Sequence, residues 1–318
     1  MLEPAVFKPN AISEQTVTAY AAIREAVAGI RPAFPATSAQ AYREAMREAI
    51  ASFGGGEIYR SPKSRDLTVP GGPRLHVIDA AEPGGVYLHI HGGGWVIGGA
   101  DEQDAALERL VAASGHTVVS VDYRLSPETP FPGPLDDCEQ AARWLADHAP
   151  AEFGTSRLTI GGDSAGANMT LATLLRLRAN PASVPFAAGN LLYGIYDLTM
   201  TPSQRASGTS DLSTAMIEWF NAQYVPDPAD RANPEASPLY AALAGLPPLL
   251  LTVGTADSAL DDTLFLYARL LAANVAAELQ ILPGGDHGFD VFPLDIADQA
   301  NERVAAFLAT AGKPVRTG

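Results

Sequence analysis

Short apolar runs alternate with helical stretches over most of the chain from residue 66 onward. The runs are VYLHI (86 to 90), TVVSV (117 to 121), RLTIG (157 to 161), AAGNLLY (187 to 193), PLLLTV (248 to 253) and AELQIL (277 to 282). Helical patterns lie near 102 to 113, 135 to 148, 165 to 178, 260 to 273 and 295 to 311. This alternation predicts an α/β protein with a mostly parallel central sheet and helices on both faces. RLHVID (74 to 79) predicts an antiparallel strand ahead of the first run.

Two segments fall outside the alternation. Residues 13 to 28 and 38 to 53 read as helices without a strand signal. Their ends carry residues that commonly start and stop helices: Ser13 and Thr37 or Ser38 before them, Gly29 and Gly54 after them. Residues 200 to 247 are rich in Pro, Ser and Asp around a helix-like stretch at 211 to 225. An insertion between two strands cannot lie in the sheet, so we expect it above the strand ends.

Composition and charge narrow the class of protein. Of 318 residues, 36 are acidic and 21 basic, for a formal net charge of −15. A field of this sign repels polyanions and anionic lipid, which argues against nucleic-acid and membrane partners and leaves small molecules. The 47% hydrophobic fraction excludes a disordered chain.

The single cysteine, Cys138, permits no intramolecular disulfide and no cysteine-based metal site. No stretch approaches the ~20 apolar residues of a membrane span, and no basic, apolar leader opens the chain. We therefore expect a cytoplasmic protein. No residue spacing implies a metal or an organic cofactor.

Two glycine-rich motifs follow predicted strands. HGGGW, His91 to Trp95, comes directly after VYLHI, and its glycines let successive backbone NH groups point at one spot, as a developing oxyanion requires. His91 is expected to brace this turn. GDSAG, Gly162 to Gly166, lies between a strand and a helix and fits G-x-S-x-G, in which a strained turn exposes the Ser164 hydroxyl. Asp163 is expected to hold that turn.

A serine hydroxyl needs a base, and the base needs an acceptor that fixes its tautomer. Asp257 and His287 each follow one of the last two predicted strands, and the order Ser164, Asp257, His287 is that of α/β hydrolases. Competing carboxylates are weaker candidates: Asp261 and Asp262 fit a helix N-terminus, and Asp286 adjoins His287.

Two further expectations concern packing. Arg124 and Glu128 in YRLSPE predict an internal ion pair. Several aromatic residues could line an apolar pocket or belong to the core: Trp95, Trp219, Phe220, Tyr224 and Phe289.

Over roughly residues 66 to 312, HGGGW, YRLSPE, GDSAG, the Asp257 region and HGF resemble the bacterial hormone-sensitive-lipase-like (family IV) esterases of the α/β-hydrolase fold. The resemblance implies a serine carboxylesterase for short- to medium-chain esters, and it makes a homodimer plausible. It implies Ser164 as nucleophile, His287 as base and Asp257 as orienting acid. It implies an oxyanion hole from the NH groups of Gly93, Gly94 and Ala165.

The resemblance also implies a cap made from residues 1 to 55 and an insertion at 200 to 225, with 56 to 318 as the catalytic domain. The chain departs from the family pattern at three places: Ala167 replaces a glycine, DSALDD (257 to 262) replaces DPLRDE, and Gly194 replaces a proline. The last departure changes the expected shape of the acyl pocket.

Three alternatives stay open. A ligand receptor that reuses the fold, as in the gibberellin receptors of plants, would dispense with the catalytic histidine, whereas His287 is present. A nucleotide-binding protein would need a phosphate motif such as GxxxxGK[ST], which the sequence lacks. Hydrolysis of an amide or an unusual ester would use the same three residues.

Overall fold

The computed structural model describes residues 3–27, 34, 38–53, 56–178, 185–207 and 210–312. Within them the strands are β1 (Ser64–Thr68), β2 (Arg74–Ile78), β3 (Gly85–Ile90), β4 (His116–Asp122), β5 (Leu158–Asp163), β6 (Phe186–Leu192), β7 (Leu249–Gly254) and β8 (Ala277–Leu282). The α-helices are α1 (Glu14–Val27), α2 (Ala39–Phe53), α3 (Asp104–Ser114), α4 (Gly133–Phe153), α5 (Ala165–Arg178), α6 (Pro202–Arg205), α7 (Thr214–Tyr224), α8 (Leu260–Ala272) and α9 (Asp295–Thr310).

The strands form one sheet in the order β1-β2-β4-β3-β5-β6-β7-β8. β2 pairs antiparallel with β1 and β4, and the remaining pairs are parallel. The predicted mostly parallel sheet and the antiparallel strand near 74 to 79 are confirmed. β1 was not predicted, because its sequence SRDLT has a single large apolar residue and lies at the sheet edge, where half-exposed strands need little hydrophobic signal.

Successive side chains along a strand point to opposite faces of the sheet and so belong to different hydrophobic cores. On β3, Leu88 belongs to the core covered by α4, α5 and α8, whereas its neighbour Tyr87 belongs to the core covered by α3 and α9. This is the period of two expected of a strand buried on both faces. The predicted helical layers are therefore both present.

The two N-terminal helices are held at their starts by serine caps. Ser13 Oγ accepts the amide of Thr16 at 3.0 Å, and Ser38 Oγ accepts the amide of Ala41 at 3.1 Å. Of the two predicted caps for α2, Ser38 is therefore confirmed. The other predicted boundary residues, Thr37, Gly29 and Gly54, lie outside the described residues.

α2 and α7 meet above the carboxyl edge of the sheet. Tyr42 of α2 packs edge to face against Trp219 and Phe220 of α7, with ring centroids 5.5 Å and 6.0 Å apart. Arg43 fastens α2 to the body of the protein by donating to the carbonyl oxygens of Val96 and Ser126 at 2.6 Å. Segments far apart in the sequence thus cover the same edge.

The predicted Arg124–Glu128 ion pair is wrong. Arg124 instead pairs with Asp137 at 2.7 Å, and Glu128 pairs with Arg43 at 2.6 Å. Asp137 follows on α4 and also accepts the Arg124 amide at 2.9 Å, so a two-point contact holds the arginine. Glu128 is left to meet a partner from α2, which sequence proximity could not reveal.

Candidate active site

Ser164 lies in a sharp turn between β5 and α5. Its φ is +54°, in the left-handed region that strains residues other than glycine. A Cβ on Gly162 or Gly166 would collide with the carbonyl oxygen of Ile90, so both positions require glycine for close approach of the β3 backbone. The Ser164 amide donates to Leu192 at 2.9 Å, which ties the turn to β6.

A continuous chain of hydrogen-bond distances joins three predicted site residues. His287 Nε2 lies 2.8 Å from Ser164 Oγ, and His287 Nδ1 lies 2.9 Å and 3.1 Å from the two carboxylate oxygens of Asp257. Asp257 is 3% exposed, and its Oδ1 also accepts the amide of Ala259 at 2.7 Å. With Nδ1 protonated toward Asp257, Nε2 is left to accept the serine proton.

The sheet brings these residues together. Ser164, Asp257 and His287 follow β5, β7 and β8, whose carboxyl ends lie along one edge. β7 and β8 are neighbours paired in register up to Gly254 and Leu282, so the loops after them start side by side. The separation in sequence disappears because parallel strands end at the same edge.

Opposing effects set the pKa of His287. Burial, the largest single influence, lowers the pKa because it disfavours the charged imidazolium, whereas the charge and the hydrogen bond of Asp257 raise it. The charges of Asp286 and Asp163 add to the rise. The pKa of His287 therefore lies above its ordinary value, so this imidazole accepts a proton readily.

The glycine turn after β3 presents its backbone to the same space. Gly93 and Gly94 have φ of +112° and +57°, and the amides of Val96 and Ile97 close the turn by donating to Gly93 O at 3.0 Å and 2.9 Å. The amides of Gly93, Gly94 and Ala165 donate to no other atom within the part of the chain that the structure describes. These three residues and Ser164 line one cavity.

The side chains of His91 and Asp163 lie next to the glycine turn. The ring of His91 stacks on Tyr123 with centroids 4.1 Å apart, and its Nδ1 lies 2.8 Å from Gly92 O. Burial lowers the pKa of His91 to about 4, so the ring is neutral at pH 7. The carboxylate of Asp163 lies 3.5 Å from His89 and from Gln103, beside Gly92. These positions agree with the bracing expected of His91 and Asp163.

A cavity of about 250 Å³ opens above Ser164. Trp95 and Phe220, two of the candidate aromatic residues, line it together with Tyr42, Met46 and Ile217 among others. Trp219 and Phe289 are not among the described residues that line it.

The reason differs for each excluded aromatic. Trp219 precedes Phe220 on α7, about 100° around the helix, and packs toward Phe34 and Tyr42. Phe289 is fully buried against Tyr193 at 5.8 Å. Tyr224 is also buried, stacked on Trp95 at 4.5 Å.

The competing carboxylates serve other contacts. Asp262 is fully buried and accepts the amides of Tyr196 and Asp197 at 2.7 Å and 2.9 Å, which ties α8 to the loop after β6. Asp261 accepts the amide of Ser203 at 2.8 Å. These two residues fasten the insertion rather than meet the imidazole of His287.

Sequence reasoning missed contributors from two places. Tyr42 and Met46 line the cavity, and their spacing of four residues on α2 is the signal that could have marked them as one face. Tyr193, directly after β6, has a φ of +37° and lies 4.8 Å from the His287 ring. Its position at a carboxyl strand end could have flagged it.

No cluster of three or more His, Cys, Asp or Glu side chains among the described residues could hold a metal ion. Among the helices described, none has the length and apolar character needed to cross a membrane.

A serine on a strand-to-helix elbow, followed in the chain by an aspartate and a histidine at the same sheet edge, defines the α/β hydrolases as a class. The family described as "alpha/beta hydrolase fold" matches residues 87–291.

Relatives narrow this class. Ethyl acetate hydrolase of Pseudomonas putida is 38% identical over 219 residues, covering 66% of this chain and 68% of that protein. Carboxylic ester hydrolase LipN of Mycobacterium tuberculosis is 35% identical over 261 residues, 77% of this chain and 69% of LipN. A solved esterase of the bacterial hormone-sensitive lipase family superposes with a TM-score of 0.79 at 33% identity, covering 94% of this chain and 99% of that one.

The chain belongs to the hormone-sensitive-lipase-like esterases, a family of enzymes with the α/β-hydrolase fold. The resemblance inferred from the motifs, and the fold that it implied, are confirmed.

Proposed function

We propose that the protein is a serine carboxylesterase that hydrolyses short- to medium-chain esters through an acyl-enzyme. One observation carries the proposal: the hydrogen-bonded chain Ser164, His287 and Asp257 adjoins a cavity that is also lined by Gly93, Gly94 and Ala165. A nucleophile, its base and an oxyanion site around one cavity are the requirements of acyl transfer.

Acylation begins at Ser164. His287 takes the hydroxyl proton at Nε2 as Oγ attacks the ester carbonyl, and Asp257 stabilises the resulting imidazolium. The amides of Gly93, Gly94 and Ala165 then stabilise the oxyanion of the tetrahedral intermediate. The C–O bond to the alcohol breaks, and His287 returns its proton to the departing alkoxide.

Deacylation repeats these roles with water as the nucleophile. His287 removes a proton from the water molecule that attacks the acyl carbonyl, and the same amides stabilise the second oxyanion. Collapse of this intermediate releases the carboxylic acid, and His287 protonates Ser164 Oγ.

The cavity supports a preference for short or medium acyl chains. Its volume of about 250 Å³ lies just below the range typical of small-molecule pockets, roughly 300 to 1,000 Å³. The large side chains of Tyr42, Trp95 and Phe220 line the cavity, and those of Trp95 and Phe220 are buried in the protein. Long chains would have to displace packed aromatic side chains.

We propose that residues 1 to 55 and 200 to 225 form a cap over residues 56 to 318 as catalytic domain. Support comes from α2 and α7, which contribute Tyr42, Met46, Ile217 and Phe220 to the cavity lining. A cap of this kind excludes water from the site and strengthens its electrostatic interactions.

A panel of p-nitrophenyl esters from acetate to palmitate, run on wild type and Ser164→Ala, tests the proposal. We expect the highest kcat/KM at butyrate to hexanoate and no acyl-enzyme burst in the variant, because the covalent route is gone. Ordinary turnover by Ser164→Ala would refute the mechanism. Faster hydrolysis of matched p-nitroanilides would favour an amidase, and tight binding without turnover would favour a receptor.

A cytoplasmic location and a homodimer are further proposals. The single cysteine, Cys138, is buried and suits a reducing compartment, while the homodimer is proposed from the family resemblance. Sedimentation velocity distinguishes 33.3 kDa from twice that mass.

A further inference from the structure

Asp286 immediately precedes His287 and is 2% exposed. Its Oδ1 accepts the amide of His287 at 2.8 Å and the hydroxyl of Ser210 at 2.6 Å. The Asp286 amide in turn donates to the hydroxyl oxygen of Tyr20 at 2.9 Å. A buried carboxylate beside the base thus makes contacts on several sides.

These contacts reach both segments of the proposed cap. Tyr20 lies on α1, and Arg24, one turn later, approaches Asp286 at 3.7 Å. Ser210 and Asp211 belong to the segment that leads into α7, and the Asp211 amide donates to both carboxylate oxygens at 3.1 Å and 3.2 Å. Two stretches that are remote in sequence from each other and from His287 therefore converge on Asp286.

The hydrogen bond to the His287 amide connects this convergence to the chemistry. The backbone position of His287 determines how its ring meets Ser164 and Asp257, whose contacts are 2.8 Å and 2.9 Å long. Displacements of a fraction of an ångström lengthen such hydrogen bonds and misalign proton transfer. A residue that fixes this backbone can control the rate without touching the substrate.

We propose that Asp286 is a positioning residue that couples both cap segments to the base His287. The inference rests on the function proposed above. When α1 is in place, the Tyr20 hydroxyl oxygen holds the Asp286 amide. When the segment before α7 is in place, Ser210 and Asp211 donate to the Asp286 carboxylate, and this carboxylate holds the His287 amide. Departure of α1 removes the acceptor of the Asp286 amide and the nearby Arg24, departure of the other segment removes the donors to the carboxylate, and either change loosens the base.

A purely structural role would give a different result, because Asp286 also acts through its charge. Its carboxylate raises the pKa of His287, together with Asp257 and Asp163. The charged or titratable groups near these two residues are Tyr20, Arg24, Asp163, Tyr193, Asp211, Asp257 and Asp290. Removing one negative charge from this set moves the acid limb of the kcat/KM profile to lower pH.

The test compares Asp286→Ala and Asp286→Asn with a matched control, Asp295→Asn. Asp295 also anchors α1, by accepting from Ser13 and Thr16 at 3.1 Å and 3.0 Å, but it has no contact with His287 among the described residues. Activity on p-nitrophenyl butyrate is normalised to sites titrated with diethyl p-nitrophenyl phosphate, and the rate of that phosphorylation is a second readout of the base.

For Asp286→Ala we expect kcat and the phosphorylation rate to fall by about tenfold to a hundredfold. Asp286→Asn should lose less activity than Asp286→Ala, because the amide oxygen of asparagine still accepts a hydrogen bond. The acid limb of its kcat/KM profile should shift to lower pH. Asp295→Asn should keep the wild-type kcat and pH profile even if its Tm falls.

Wild-type kcat and an unmoved acid limb in Asp286→Ala, with only a lower Tm, would overturn the inference. If that variant does not fold, an unmoved acid limb and wild-type phosphorylation in Asp286→Asn would do so. Absence of ester hydrolysis by the wild-type protein would refute the proposed function. The phosphorylation rates of wild type and variants would still measure how strongly Asp286 affects His287.

Discussion

Gly94 and Phe220 lie so close together that only a hydrogen atom fits at the glycine Cα. A Cβ on Gly94 would lie 2.5 Å from Cγ of the Phe220 ring, and the φ of Gly94 is +57°. The glycine turn after β3 and helix α7 therefore meet at the cavity wall. A side chain at Gly94 would have to displace both the ring and the backbone amide.

Gly94→Ala should lower kcat/KM for p-nitrophenyl butyrate by about 10²- to 10³-fold, the usual effect of losing one oxyanion donor. The reason is that the new methyl group pushes the turn away from Phe220 and misdirects its amides. Steady-state kinetics at a temperature well below the Tm measures the effect.

Gly71→Ala is the control for backbone strain. Its φ is +70° and its Cβ would meet no atom within 4 Å, so the cost is strain alone, about 1 to 2 kcal/mol. Its Tm should fall while kcat/KM stays at the wild-type value. Equal activity in both variants would contradict an oxyanion role for this turn.

Asp257→Asn should lower kcat by roughly 10³- to 10⁴-fold with little change in KM, because the amide favours the wrong tautomer of His287. The same change removes the main influence that raises the pKa of His287. Asp261→Asn is the control, since Asp261 binds the Ser203 amide and not the imidazole. A loss in the control as large as in Asp257→Asn would refute the assignment.

The acid limb of kcat/KM should have its midpoint above pH 6.5, the ordinary value for histidine. The base must be neutral to accept a proton, so activity falls as pH decreases through the pKa of His287, which is raised. A pH series in buffers of constant ionic strength measures this. His148→Gln, an exposed change on α4, should leave the midpoint unmoved, and a wild-type midpoint below pH 6.5 would contradict the prediction.

Phe220→Ala should shift the acyl preference toward longer chains. Removal of the ring enlarges the cavity above Ser164. The ratio of kcat/KM for the octanoate ester to kcat/KM for the butyrate ester should therefore rise by about tenfold, because a change in a hydrophobic pocket typically alters discrimination between substrates by about 1 to 3 kcal/mol. Phe289→Ala is the matched control, because Phe289 is buried outside the lining and its loss should cost about 3 to 5 kcal/mol of stability. An unchanged ratio in Phe220→Ala would place the acyl chain elsewhere.

Much of the fold could be predicted from the sequence, because strands buried on both faces of a sheet consist mostly of consecutive apolar residues. β3 and β7 are fully buried and coincide with VYLHI and PLLLTV. β1 could not be read in this way, since its edge position demands few apolar residues. The partners of Arg124 and Glu128 were likewise hidden, because choosing among nearby and distant opposite charges requires the packed structure.

The sequence by itself determined the order of Ser164, Asp257 and His287 at strand ends and the glycine turn that follows β3, because these depend on local motifs and strand periodicity. Only the tertiary structure decided which aromatic residues face the cavity, since a single step along α7 separates Phe220 from Trp219. It also brought α1, the segment at 210–211 and the loop of His287 together at Asp286. The reason is physical: motifs constrain the backbone nearby, whereas contacts between remote segments follow from how helices pack on the sheet.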